Sequence, residues 1–112
     1  MQLKNNFSSE TRELFTWNYI CWWCGQNHWN AFHHIKGRSS ASPLNACPIN
    51  NEICHIGNGK LATFDVQTML LKKTFMYLQK IHYELTDEDK KFIQTNKKHY
   101  EQFISKQTLR NI

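Results

Sequence analysis

The sequence has few of the residues that make linkers, membrane spans or disulfide frameworks. Only two prolines and four glycines occur among 112 residues, so no proline-rich or glycine-rich linker divides the chain. Apolar residues come in short runs, whereas crossing a bilayer takes about 20 consecutive apolar residues. The opening residues, MQLKNN, hold one lysine and no apolar stretch, so we expect no secretory signal and no membrane partner. We therefore expect residues 1–112 to form one soluble domain in the reducing cytoplasm.

Acidic residues are fewer than basic residues, and this balance indicates which kind of partner the protein would bind. The chain has 14 Lys and Arg against nine Asp and Glu, a net charge of +5 and a pI of about 9.1. A positive balance favours an anionic partner such as nucleic acid. The excess is spread out, with five basic against three acidic residues through Lys60 and nine against six after it. Charge alone therefore points only weakly to DNA.

The chain divides into three stretches by its patterning. Ser8-Ser9-Glu10 before a short apolar pattern predicts a first helix with a serine as its N-cap. Residues 21–60 hold all four cysteines, four of the six histidines and all four glycines, which is typical of turns, short strands and one short helix. Residues 61–112 have helical periodicity and predict two helices, the second beginning at the N-cap Thr86. If the protein forms a homodimer, we expect these C-terminal helices to supply the interface.

The cysteine spacing predicts a metal site. Cys21 and Cys24 are separated by two residues, the spacing of a metal-binding turn. In a reducing compartment, Cys21, Cys24, Cys47 and Cys54 are better explained as ligands of one structural Zn²⁺ than as the disulfides of a secreted protein. Six residues separate Cys47 from Cys54, which departs from the common zinc knuckle. His28 is therefore an alternative ligand, and an unused cysteine would pack as a small apolar residue.

The adjacent histidines predict a second site. His33 and His34 lie in a short apolar-flanked run that suits a strand, where neighbouring side chains point to opposite sides. Proline at the first helical position and glycine just past the end predict a short helix from Pro48 to before Gly57. That helix would carry His55 towards the strand.

In this order, "HH", the asparagine of "SPLNAC" and the following "CH" resemble the HNH endonucleases, whose ββα-metal motif lies between zinc-knuckle cysteines. The resemblance covers residues 21 to about 60. It implies that His34 is the general base, that Asn45 holds the loop that aims it, and that His33 and His55 bind a catalytic Mg²⁺ or Mn²⁺. The implied fold is α+β, a small zinc-braced ββα-metal core of residues 21–60 with a helical C-terminal extension, residues 61–112.

The resemblance also implies an activity. It predicts an endonuclease that hydrolyses phosphodiester bonds in DNA, by nicking, double-strand cleavage or cleavage of branched DNA, of a type frequent in phages and mobile elements. Lys36 and Arg38, in the turn after the histidines, would contact phosphates. The alternative is a non-catalytic, zinc-stabilised nucleic-acid-binding module, which has no use for His33, His34 and Asn45 together. The roles of Asn51 and Asn58 stay open.

Other conspicuous side chains have ordinary explanations. We expect His82 and His99 to be surface or hydrogen-bonded residues of the C-terminal helices, away from the motif. Three tryptophans beside the cysteines are expected in the core rather than as platforms for nucleic-acid bases: Trp22, Trp23 and Trp29. Paired lysines on the helices are expected on solvated faces, unless they share a side with Arg38: Lys72-Lys73, Lys90-Lys91 and Lys97-Lys98.

Overall fold

Helices surround one small antiparallel sheet. The computed structural model describes residues 7–112. Within that range the helices are α1, Ser9–Leu14; α2, Phe64–Lys80; α3, Asp87–Thr95; α4, Lys97–Tyr100; and α5, Lys106–Arg110. The strands are β1, Ala31–His34, and β2, Ala46–Ile49. Single turns of tighter or wider helix occupy Gly37–Ser39, Pro43–Asn45, Asn51–His55 and Gly59–Ala62. The predicted α+β class is confirmed.

The sheet carries the adjacent histidines as the sequence predicts. His33 is paired with Cys47 and His34 with Ala46 in the antiparallel register of β1 and β2. Because neighbours on a strand face opposite sides, the two imidazoles belong to different surroundings.

The predicted helix start at Pro48 is wrong. Pro48 lies inside β2, opposite Phe32. Proline can occupy an edge strand because its missing N–H is then not needed for pairing, and both strands of a two-stranded sheet are edges. The helical turn instead begins at Asn51, after Asn50 accepts a hydrogen bond from the Ile53 N–H at 3.0 Å. Its five-residue π-helical span ends at His55, one residue before the predicted end, and carries His55 as the sequence predicts.

Two N-caps predicted from the sequence are confirmed. The Ser8 hydroxyl accepts a hydrogen bond from the Thr11 N–H at the start of α1, at 3.2 Å. At the start of α3, the Thr86 hydroxyl accepts from the Asp89 N–H, and the Asp89 carboxylate accepts from the Thr86 N–H. This reciprocal capping box satisfies two donors that a bare helix end leaves unpaired.

The number of C-terminal helices differs from the prediction. The predicted second helix breaks at Asn96 into α3 and α4, where the Asn96 side chain donates to the Phe92 carbonyl at 2.9 Å. An asparagine amide can compete in this way with helical backbone bonding. Beyond α4, Ser105 caps the additional helix α5.

Helix α2 joins the cysteine-rich stretch to the helical part of the chain. The buried Thr74 hydroxyl donates to the Ala46 carbonyl at 2.8 Å and accepts from the Trp22 indole N–H at 2.9 Å. Apolar residues from both parts form one core cluster. The tryptophans Trp22, Trp23 and Trp29 are half-buried against this core, as the sequence predicts. Among residues 7–112, no helix is both long enough and apolar enough to cross a membrane.

Asp89 also fixes the loop before β2. Its side chain is 1% exposed. One carboxylate oxygen accepts a hydrogen bond from the Ser42 hydroxyl at 2.5 Å, and the other accepts from the Tyr83 hydroxyl at 2.6 Å and from the Thr86 N–H at 2.8 Å. Burial, and then the Asp89 carboxylate, raises the pKa of Tyr83. Asp89 therefore connects α3 to the loop that leads into the sheet.

We expect Asp89→Asn to lower the free energy of unfolding by about 3 kcal/mol. The asparagine amide keeps only one acceptor oxygen and carries no charge, so its NH₂ group would face a hydrogen-bond donor in place of the carboxylate oxygen that the donor now contacts. Urea unfolding measures the change. Asp87→Asn is the matched control, since Asp87 is an exposed acid in the same first turn and its loss should cost less than about 1 kcal/mol. Equal effects in the two variants would contradict the bridging role of Asp89.

Candidate metal centres

Three sulfur atoms lie together beside the sheet. The Sγ atoms of Cys21, Cys24 and Cys54 are all within 4.8 Å of one another, and all four cysteines of the chain are free thiols. A tetrahedral zinc ion with Zn–S bonds of about 2.3 Å holds its sulfurs about 3.8 Å apart. Small movements of the three side chains would therefore bring the sulfur atoms to the separation at which they could bind an ion such as Zn²⁺.

The first turn of this thiol group presents backbone N–H groups to its sulfurs. The Trp23 N–H donates to the Cys21 Sγ at 3.4 Å, and the Asn27 N–H donates to the Cys24 Sγ at 3.3 Å. Backbone donors from Asn27 and then Gln26 lower the pKa of Cys24 to about 6. Because these bonds favour the thiolate, the Cys24 thiol would lose its proton readily to a metal ion.

Cys54 behaves in the opposite way. Burial, and then contact with Cys24 and Cys21, raises its pKa to about 12. A metal ion bound here must displace the Cys54 proton, so binding should release a proton and weaken in acid. The turn that begins after Asn50 positions this thiol, since the Cys54 N–H donates to the Asn50 carbonyl at 2.9 Å.

The predicted fourth cysteine lies outside the three-sulfur group. Cys47 is completely buried in β2, and its thiol lies 3.9 Å from the Pro48 carbonyl oxygen. Burial, and then the nearby Cys21 thiol, raises its pKa. The alternative ligand His28 is exposed, and its ring is tilted against Tyr19 at a centroid distance of 6.3 Å. A fourth ligand from Cys47 stays a prediction.

Substitution of the cysteines tests the zinc site. We expect Cys54→Ser to lose zinc and melt at a lower temperature, because metal-binding energy contributes to folding. We also expect Cys47→Ala, which keeps the apolar packing, to bind zinc more weakly than the parent, because Cys21 is close enough to the Cys47 thiol to raise its pKa.

Elemental analysis after dialysis measures the zinc content per chain of each variant and of the parent protein. Unchanged zinc in Cys47→Ala would place that residue only in the core. If Cys54→Ser and Cys24→Ser also keep the parent's zinc content and melting temperature, the three-thiol site is wrong.

Two histidine ring nitrogens meet on the other side of the same turn. His33 Nδ1 on β1 lies 3.1 Å from His55 Nε2 at the end of the helical turn. His55 Nδ1 lies 2.7 Å from Asn51 Oδ1, an acceptor, so Nδ1 carries the proton and Nε2 presents its lone pair to His33. Two nitrogens on one metal ion, with bonds of about 2.1 Å, lie about 3.0–3.4 Å apart. The observed separation fits a shared ion.

The surroundings of His33 favour its neutral form. Burial, and then the neighbouring His55 and His34, lowers the pKa of His33 to about 4. Its Nε2 atom is buried and has no hydrogen-bond partner among residues 7–112. A neutral imidazole is the form that binds metals, so His33 Nδ1 could bind an ion once the single ring proton lies on Nε2 instead.

His34 is on the opposite side of β1 and is covered. Only 9% of it is exposed, and the Phe7 ring stacks on its imidazole with centroids 4.1 Å apart and planes 12° from parallel. A general base must reach a water molecule. Because the lone pair of an imidazole nitrogen lies in the ring plane, the predicted role requires water to reach the ring edge of this nearly buried side chain.

Asn45 braces the loop between the strands. Its Oδ1 accepts from the Lys36 N–H at 2.8 Å, and its Nδ2 donates to the carbonyls of Gly37 and Ser40, each at 2.9 Å. The side chain is completely buried. This geometry suits the loop-holding role that the sequence predicts.

The two predicted phosphate-binding residues differ in their surroundings. Arg38 is exposed on the turn Gly37–Ser39. Lys36 is half-buried, and its ammonium donates to Gln67 Oε1 at 2.8 Å and to His99 Nε2 at 3.0 Å. The expectation that His99 lies away from the motif is wrong, because α4 packs against α2 and brings this imidazole to Lys36.

Residues that sequence reasoning left without a role now have one. Asn51 orients His55, and its position four residues earlier on the same helical face is a signal that could have shown this. Asn58 caps the turn Gly59–Ala62 and donates to the Cys54 carbonyl at 2.9 Å. Phe7 covers His34 from 27 residues away, and no local pattern indicates that contact.

In comparisons with known proteins, no family model, no curated protein and no solved structure matched this chain. Function is therefore inferred from the thiol group and the histidine pair themselves.

We expect Asn45→Ala to destabilise the protein by about 2–3 kcal/mol, because it leaves one buried N–H and two carbonyls without their partner. Urea unfolding followed by circular dichroism measures this loss. Asn111→Ala, at an exposed helix end, is the control and should change stability little. A variant as stable as the parent would contradict the bracing role.

Proposed function

We propose that this protein is a metal-dependent endonuclease of the HNH type that hydrolyses phosphodiester bonds in DNA. The observation that carries the proposal is the His33–His55 pair, whose facing ring nitrogens lie 3.1 Å apart beside a three-thiol group. A hydrogen bond alone would explain the histidine pair, but it would not explain why a group of three thiols lies next to it on the same turn. The joint arrangement favours two ions with different tasks.

The thiol group supplies the structural part of this proposal. Cys54 and His55 are consecutive residues of one helical turn, with the first in the thiol group and the second in the histidine pair. Fixing Cys54 on a Zn²⁺ ion would therefore fix the position of His55. A small domain gains much from such a staple, since its core alone is marginal.

The histidine pair supplies the catalytic part. A divalent ion such as Mg²⁺ or Mn²⁺ bound there would polarise a phosphate oxygen and offset the charge that develops during hydrolysis. Asn51 keeps the His55 tautomer that presents a lone pair. Two protein ligands leave coordination positions for phosphate oxygens and water.

His34 is assigned to proton transfer. A neutral imidazole can take a proton from the attacking water. Asn45 holds the loop that follows β1, which limits the movement of the strand end that carries His34. Water would have to reach a ring nitrogen at the edge of this imidazole, which is 9% exposed.

The cover over His34 favours a second candidate function. A non-catalytic, zinc-stabilised nucleic-acid-binding module would need the thiol group and basic residues but would have no need for an exposed His34. The same experiment separates the two functions, because only the endonuclease cuts.

The purified protein, incubated with supercoiled plasmid and Mg²⁺ or Mn²⁺, is expected to nick or linearise the DNA. We expect His34→Ala to lower the rate by about 10²-fold or more while leaving folding and DNA binding nearly unchanged. The double variant His33→Ala, His55→Ala should be inactive at every metal concentration tested. His82→Asn is the control, since His82 is exposed and has a φ of 61°, a conformation that asparagine tolerates.

Mild chelation distinguishes the two ions. Citrate should stop cutting without unfolding the protein, because thiolates hold zinc more tightly than two imidazoles hold a hard ion. Added Mn²⁺ should restore cutting by the parent only. If no metal supports cleavage, the binding-module function replaces the endonuclease. If the double histidine variant cuts as fast as the parent, the assigned metal ligands are wrong.

A further inference from the structure

An open groove of about 540 Å³ lies between the loop after β1, the start of α2 and helix α4. Pockets of about 300–1,000 Å³ are of the size that holds a small organic ligand. The side chains that give this groove its chemistry are Lys36, Phe64, Lys97, Lys98, His99 and Glu101. None of them except Lys36 belongs to the histidine or cysteine stretch.

Lys36 is held in this groove by a chain of hydrogen bonds. Its ammonium can only donate, so His99 Nε2 must accept and His99 Nδ1 must carry the proton. His99 Nδ1 then donates to Thr68 Oγ1 at 2.7 Å, and Thr68 Oγ1 donates to the Phe64 carbonyl at 2.9 Å. Gln67 accepts a second N–H of Lys36. One of the three N–H donors of the ammonium is left to point to a ligand.

Phe64 provides a flat surface beside that ammonium. One face of its ring stacks on the His99 imidazole, with centroids 4.2 Å apart and planes 19° from parallel. Nevertheless 47% of Phe64 is exposed, and the residue lines the groove. An exposed aromatic ring fixed on one face is a platform on which a nucleic-acid base can stack.

The groove carries an excess of positive charge. Three lysines line it against one acid, Glu101. Glu101 lies 4.0 Å from Lys97, and such an exposed pair is weak and easily exchanged for a phosphate contact. Lys97 and Lys98 line the same groove as Lys36, which places three ammonium groups where they could contact one phosphate backbone.

We propose that this groove binds one unpaired nucleotide of a DNA strand, with its base on Phe64 and its phosphates on Lys36, Lys97 and Lys98. Bases inside a duplex are already stacked, so only an unpaired base can use the Phe64 ring. The choice of DNA rests on the proposed endonuclease function. Because Lys36 follows His34 by two residues, the groove lies beside the end of β1, and the preferred substrate is duplex DNA with a single-stranded branch.

Fluorescence anisotropy with short labelled DNA tests this proposal in citrate, without added divalent metal, so that binding is measured apart from cleavage. The probes are oligothymidylate, a blunt duplex, and the same duplex with a thymidine flap. We expect Phe64→Leu to weaken binding to oligothymidylate and to the flap about tenfold or more, and to change binding to the blunt duplex little. Trp17→Leu is the matched control, because Trp17 is 82% exposed elsewhere.

The lysines are tested by their effect on salt dependence. The double variant Lys97→Gln, Lys98→Gln should flatten the slope of log affinity against log salt by about 1.4 for oligothymidylate, because two phosphate contacts are lost. Lys90→Gln, Lys91→Gln on α3 is the control pair and should keep the parent slope. Circular dichroism and melting temperature check that each variant is folded.

Each outcome has a separate meaning. If folded Phe64→Leu binds oligothymidylate as tightly as Trp17→Leu and the parent, the groove proposal is wrong even when plasmid is cut. If oligouridylate binds tenfold more tightly than oligothymidylate, the groove belongs to RNA and the DNA assignment is overturned. If the variants behave as expected but no plasmid is cut, the groove stands and the endonuclease proposal fails.

Discussion

A buried hydroxyl on α2 links the two parts of the molecule through two hydrogen bonds. Thr74, in the middle of α2, accepts a hydrogen bond from the Trp22 indole and donates one to the Ala46 carbonyl. It thereby ties the turn of the first two cysteines and strand β2 to the longest helix. The thiol group takes Cys21 and Cys24 from the turn that carries Trp22, and the groove beside Lys36 takes Phe64 from the start of α2. The cysteine-rich stretch and the helices are consequently one structural unit.

The parts of the fold that could be predicted are those with local causes. Thr86 begins α3 because its hydroxyl and the Asp89 carboxylate satisfy N–H groups three residues apart. Proline favours both a helix start and an edge strand, and only the pairing of Pro48 with Phe32 decides between them. Asn96 breaks the last predicted helix through a side-chain bond that competes with the backbone, which hydrophobic periodicity does not report.

In the candidate sites, too, the features with local causes could be predicted and those set by distant contacts could not. Spacing along the chain was enough to propose Cys21 with Cys24, and the order of motifs was enough to propose His33 with His55. Distant contacts were not accessible in this way: the Lys36–His99 bond joins residues 63 positions apart. The exclusion of Cys47 from the close sulfur group depends on where β2 buries its side chain, a property of packing rather than of spacing.

The shared turn Asn51–His55 has a thermodynamic consequence. Consecutive residues of this turn enter the thiol group and the histidine pair. If both proposed ions bind, any cost of fixing the turn would be met by the first ion, and the second would bind a turn that is already fixed. Linkage would make the effect reciprocal: each proposed ion would raise the affinity of the other by the same factor. The supply of one metal would then set the apparent affinity for the other.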